Sequence, residues 1–205
     1  MKTLKLIKLE ALAVTVLMVL STHAGAATIA GTAHDLSAYA NSAGQICITC
    51  HTPHNAQSTQ LVPLWNHTST TSVFTLYSST TLNAVPGQPS NNSKACLSCH
   101  DGTVALDSFG GKVATVGFMT GDHNLTTDLS NDHPVSFTFD AALATADGGL
   151  VTPSSLTSVD AAKTVPLYLG KVECATCHNP HDNTFTPFLR KSNAASALCL
   201  TCHNK

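Results

Sequence analysis

Aromatic side chains make up 5% of this 205-residue chain and charged ones 11%. Both shortages bound what it can be. Ten Lys and Arg against twelve Asp and Glu leave no basic stripe, which excludes a nucleic-acid footprint. Methionine occurs three times, at Met1, Met18 and Met119, and there is one tryptophan, Trp65. No apolar run reaches the roughly 20 residues that a membrane-spanning helix needs. The run from Ala11 to Leu20 is about half that length, follows Lys2, Lys5 and Lys8, and precedes the small-x-small stretch Ala24-Gly25-Ala26. Residues 1–26 are expected to be a cleaved export signal, after which no membrane span remains. With the signal gone, seven basic residues face eleven acidic ones, a formal charge of −4. What is left is rich in Ser, Thr, Asn and Gly and short of apolar volume, so something other than side chains is expected to fill the core.

Cysteine and histidine, by contrast, are abundant. The eight cysteines form four C-x-x-C pairs, Cys47/Cys50, Cys96/Cys99, Cys174/Cys177 and Cys199/Cys202. Each pair is followed at once by histidine: His51, His100, His178 and His203. With 11 histidines in 205 residues, four such coincidences would arise by chance about once in 10⁵ sequences. A repeat underlies them. "CITCHTPHN" at 47 is echoed by "CATCHNPHD" at 174, and "SNNSKACLSCH" ending at His100 by "SNAASALCLTCH" ending at His203. The predicted organisation is one domain over 27–205, built of duplicated modules 47–100 and 174–203 linked by 101–173. The first module is the longer, with 56–90 as its insertion.

Regular structure is expected to be sparse. Short helices are predicted at the C-x-x-C-H motifs, over Ser93 to His100 and over Ser192 to His203 with Ser192 as N-cap. "HPVSFTFD" at 133–140 alternates Val135, Phe137 and Phe139 with Ser136 and Thr138, the period of a half-buried strand. Gly110-Gly111 and Gly148-Gly149 mark turns. The fold class is a loop-rich chain with short helices, a few short strands and prosthetic groups at its centre.

C-x-x-C-H is the attachment site of a c-type haem. The two thiols, three residues apart on one turn, add to the two vinyl groups on one edge of the porphyrin, and the following histidine ligates the iron. Four motifs imply four covalently bound haems, which answers the missing core. A structural zinc site explains the cysteine spacing but not a histidine after every pair. Four disulfides would satisfy the even count, yet pairing inside C-x-x-C is a redox motif rather than a scaffold.

The sixth ligand of each iron decides the chemistry. Met119 alone survives signal removal, so at least three irons must find something else or nothing. Outside the motifs and the signal stand His34, His54, His67, His123, His133 and His181, six candidates for four irons. His54 and His181 lie three residues after a motif histidine, project from its side, and can reach only a neighbouring haem. His133 precedes Pro134 and is held extended. His34 and His67 are further candidates, and His123 is expected at the surface. Bis-histidine irons have no open position for substrate and suit one-electron transfer, so no catalytic residue is expected. The rival is a haem reductase with one open iron.

The stretches "AHDLS", "QICITCHTPHNA", "PLWNH", "SKACLSCHDGTVA", "DLSNDHPVSF", "VECATCHNPHD" and "FLRKSNAASALCLTCHNK" resemble the multihaem c-type cytochromes with doubled C-x-x-C-H motifs. Within that group the layout is similar to the extracellular OmcE-type tetrahaem cytochromes, whose subunits polymerise into filaments. The resemblance implies electron transport through stacked haems with His51, His100, His178 and His203 as proximal ligands and His34, His67, His133 and His181 as distal ones. It implies that His54 ligates a haem of a neighbouring subunit in a homopolymer. The implied partners are redox proteins or extracellular acceptors such as metal oxides, and the implied location is outside the cytoplasm, in the periplasm or at the cell surface. A soluble periplasmic carrier is the alternative within the same class.

Overall fold

The computed structural model describes residues 28–57 and 62–204; the predicted export signal lies outside the described residues. Most of the chain between is turn and loop. Four α-helices stand among the described residues: α1 (Asn91–His100), α2 (Ala141–Asp147), α3 (Cys174–Cys177) and α4 (Cys199–Cys202). Four strands of two residues pair as two ribbons. β1 (Thr75–Leu76) runs parallel to β2 (Asp128–Leu129), and β3 (Phe137–Thr138) antiparallel to β4 (Lys171–Val172), with Phe137 opposite Val172. Among the described residues no helix is long and apolar enough to cross a membrane.

The loop-rich character follows from the composition, but two predicted elements are shorter than their patterns suggest. The 133–140 alternation breaks at Ser136, which is buried at φ 60° instead of facing solvent. Its hydroxyl is drawn inward by the carboxylate of Glu173 at 2.8 Å. Only Phe137 and Phe139 keep the inward face. The predicted helix from Ser192 is interrupted as well, because Ala195 and Ser196 adopt φ 50° and 61°. The Asn193 carboxamide accepts from the backbone N–H of Leu198 at 3.1 Å, offering that segment a local turn in place of a helix. Regular α-helix resumes only at Cys199. The first motif is a single turn closed by the His51 N–H on the Cys47 carbonyl at 2.8 Å.

Two apolar clusters hold these pieces. The larger gathers Phe137, Phe139, Val159, Val165, Leu167, Val172 and Leu198, with Cys177 and Cys202 packed against it. The smaller joins Leu97 of α1 to Phe74 and Leu129. Elsewhere buried polar groups tie loops together. Asp107 accepts from the Asn41 amide, the Thr115 hydroxyl and the backbone N–H groups of Thr115 and Val116, at 2.7–3.2 Å. Burial works against its charge, yet these donors outweigh burial and hold the carboxyl below its usual range.

With so little apolar area, each core aromatic carries a large share of stability. Phe139→Ala is expected to lower the unfolding free energy by about 3–5 kcal/mol, read from denaturant midpoints.

Candidate functional site

Each motif histidine is held by backbone, and in three of the four motifs by the same device. Beyond His51, the Thr52 N–H bonds the Leu64 carbonyl (2.9 Å) and the Asn66 N–H bonds the Cys50 carbonyl (2.8 Å), pairing His51 with Trp65 in an antiparallel bridge. Beyond His178, Asn179 bonds Phe188 (2.7 Å) and Arg190 bonds Cys177 (2.9 Å), pairing His178 with Leu189. Beyond His203, Asn204 bonds Gly149 and Val151 bonds Cys202, both at 2.8 Å, pairing His203 with Leu150. His100 differs, since it ends α1 and takes the Leu125 N–H on its carbonyl at 2.7 Å.

This clamp also fixes the imidazoles. Nδ1 of His51 lies 2.7 Å from the Pro63 carbonyl and Nδ1 of His178 lies 3.0 Å from the Pro187 carbonyl. Nδ1 of His100 lies 2.8 Å from the His123 carbonyl. A carbonyl can only accept, so Nδ1 carries the proton and Nε2 is left with a lone pair, the state of a metal-ligating imidazole. The acceptors were missed in the sequence. Their trace is the pair "PLW" at 63 and "PFL" at 187, whose middle residues Leu64 and Phe188 share the left-handed φ of 57° and 56°. Matching Pro63–Asn66 with Pro187–Arg190 leaves three of the first module's extra residues before Pro63 and the rest after Asn66.

Three of the motif histidines face a second imidazole from a distant part of the chain. Ring centroids are 6.0 Å apart for His51 and His181, 6.2 Å for His100 and His34, and 6.3 Å for His203 and His133. With a metal–nitrogen bond of about 2 Å and a ring nitrogen about 1.1 Å from its centroid, two imidazoles on opposite sides of one iron sit about 6 Å apart. Nδ1 of His133 is occupied in turn by the Pro134 carbonyl at 2.9 Å. Nδ1 of His34 is buried without a hydrogen-bond partner. Burial first, then His100, depress the His34 pKa from 6.5 to about 4, and partial burial followed by His51 lowers that of His181, so both rings stay neutral.

The other candidates are placed differently. His67 is fully buried, with Nδ1 2.9 Å from the Thr68 carbonyl, Nε2 3.1 Å from the Ala105 carbonyl and 3.5 Å from the Cys99 sulfur. The fold does not bring it opposite a motif histidine. Burial lowers its pKa against the opposing pull of those carbonyls, and the single N–H of a neutral ring serves one of them at a time. His54 and His123 are exposed, and His54 lines an open recess of about 510 Å³ with Ile48, Asn66, Phe109 and Lys112. His178 makes no such ring pair among the described residues, although it acts electrostatically on His34.

The thiols line up in chain order. Cys50 acts electrostatically on Cys99, Cys96 and Cys174 act on each other where α1 packs on α3, and Cys177 lies within electrostatic reach of Cys199 and Cys202. Burial pushes Cys99 up to about 12 and Cys202 to about 11, and raises Cys50 and Cys177. Among the described residues no three His, Cys, Asp or Glu side chains converge on one metal ion. Paired thiols on one turn and imidazoles spaced for an iron fit a c-type haem.

The family model for the doubled CXXCH motif matches residues 168–205, the second motif pair. It supports a multihaem c-type cytochrome, with covalently bound c-type haem and electron transfer as its chemistry. No curated protein matches the chain.

Two outcomes are expected. His34→Ala and His181→Ala should each convert one low-spin haem to a high-spin one in the EPR spectrum, whereas His123→Ala should leave every spin state as in the wild type. Stability should also fall as pH drops from 6.5 towards about 4, because the unfolded chain binds a proton at His34 that the native chain refuses. Denaturant midpoints measured across that range check the sign.

Proposed function

We propose that this chain is an exported tetrahaem c-type cytochrome that carries electrons along a row of four haems, and that its subunits join into an extracellular filament. The observation that carries the proposal is the set of three imidazole pairs at 6.0–6.3 Å, each joining a motif histidine to one from another segment. When bound, each haem would supply a one-electron iron couple and a large apolar conjugated ring, which would add to the small side-chain core. The polypeptide supplies the rest. Its clamps fix the motif imidazoles, His34, His133 and His181 would supply the second imidazole to three of the irons, and the chain-order coupling of the thiols would keep neighbouring groups close. Two histidine ligands and a net negative surface favour low potentials. The same charge suits basic redox partners or cationic mineral surfaces.

His178 supports the filament part of the proposal. Its Nδ1 is anchored like that of His51, yet it makes no such ring pair among the described residues, while His54 is exposed beside an open recess. A neighbouring copy presenting His54 would complete that iron. The same observation favours a second reading, in which the iron at His178 stays open and the protein is a haem reductase.

Electron microscopy and EPR of the secreted protein separate the two. Filaments with four low-spin haems per subunit are expected, and His54→Ala should give discrete particles with one high-spin haem. Discrete wild-type particles with a high-spin haem that binds carbon monoxide would favour the reductase; discrete particles with every haem low-spin would favour a soluble carrier.

A further inference from the structure

Glu173 is 1% exposed and lies between the two central attachment sites, directly before Cys174. Its carboxylate is held by serine hydroxyls. Ser90 donates to Oε1 at 3.1 Å, and Ser136 donates to Oε2 at 2.8 Å, as does Ser93. Two of those hydroxyls are oriented by backbone donors: Ser93 Oγ accepts the Cys174 N–H at 2.9 Å, and Ser136 Oγ accepts the Ser90 N–H at 3.0 Å. With their lone pairs engaged, both turn their protons to Glu173. Three donors on two oxygens is the pattern of an ionised carboxylate, since a carboxylic acid would have to give a proton to a group already aimed at it.

This charge lies in a low-dielectric setting. Ser90 and Ser93 belong to the start of α1, which carries Cys96 and Cys99, and Glu173 leads into α3, which carries Cys174 and Cys177. Cys96 and Cys174 act on each other where these two helices pack, and Glu173 acts electrostatically on Cys174. An ionised group buried at that junction acts on both attachment sites with little screening.

On the haem reading proposed above, we infer that Glu173 is a buried countercharge that lowers the reduction potential of the haem pair attached at Cys96/Cys99 and Cys174/Cys177. A fixed negative charge stabilises the ferric state of both irons over the ferrous one. The central pair of the row is thereby the harder to reduce. No proton or bond changes hands.

The test is a spectroelectrochemical titration of the purified holoprotein above neutral pH, with haem content checked by mass and spin state by EPR. Glu173→Gln removes the charge and keeps the shape, and should raise the midpoint potentials of two of the four haems. Ser136→Ala keeps the charge and removes one hydroxyl that partly neutralises it, and should lower the same two. Opposite shifts with haem count and spin state unchanged support the countercharge. Shifts in the same direction would mark Glu173 as a packing clasp only, and an unmoved midpoint in Glu173→Gln would overturn the inference outright. If Glu173→Gln does not accumulate, Ser136→Ala decides alone, a downward shift supporting and an upward or absent one overturning. Wild-type protein without haem by mass would defeat the underlying reading before any titration.

Discussion

Everything in this molecule depends on the orientation of a few imidazoles by backbone carbonyls. A histidine ring turns freely about two bonds, and a short C-x-x-C turn cannot by itself hold one. The Pro63, Pro187 and His123 carbonyls take the Nδ1 proton, and so choose both the tautomer and the ring's direction. Those carbonyls are in place because the segments bearing them are bonded across the motif by backbone pairs such as Asn66 to Cys50 and Arg190 to Cys177. The device needs no particular side chain at the acceptor position.

The sparse regular structure follows from the same constraint. A chain with so few apolar side chains is tied together by loops that satisfy their own polar atoms. Asp107 does this with a hydroxyl, a carboxamide and backbone amides, and Glu173 with serine hydroxyls. The apolar clusters are correspondingly small and lie against Cys177, Cys202 and α1, so side-chain packing and attachment sites share the same ground.

The architecture of the attachment motifs was legible because covalent chemistry demands a fixed local spacing. The loop-rich class was legible from composition. Phe137 and Phe139 were correctly read as inward, but Ser136 was not, since a buried carboxylate from a segment 37 residues away turned it in. The helix from Ser192 failed for a local reason, the Asn193 carboxamide competing for the backbone. His67, in "PLWNH", reads like the other spare histidines, yet it is folded into the protein against two carbonyls.

By itself, the sequence determined which residues can bind: four C-x-x-C-H units, their duplication, and six spare histidines to serve them. Which histidine faces which was decided only by the tertiary structure. His34 meets His100, His181 meets His51 and His133 meets His203 across separations of 66, 130 and 70 residues. Attachment is a matter of bonds within five consecutive residues, whereas a facing ligand is a matter of distance, and distance is set by packing and by backbone clamps that leave almost no mark in the residue alphabet.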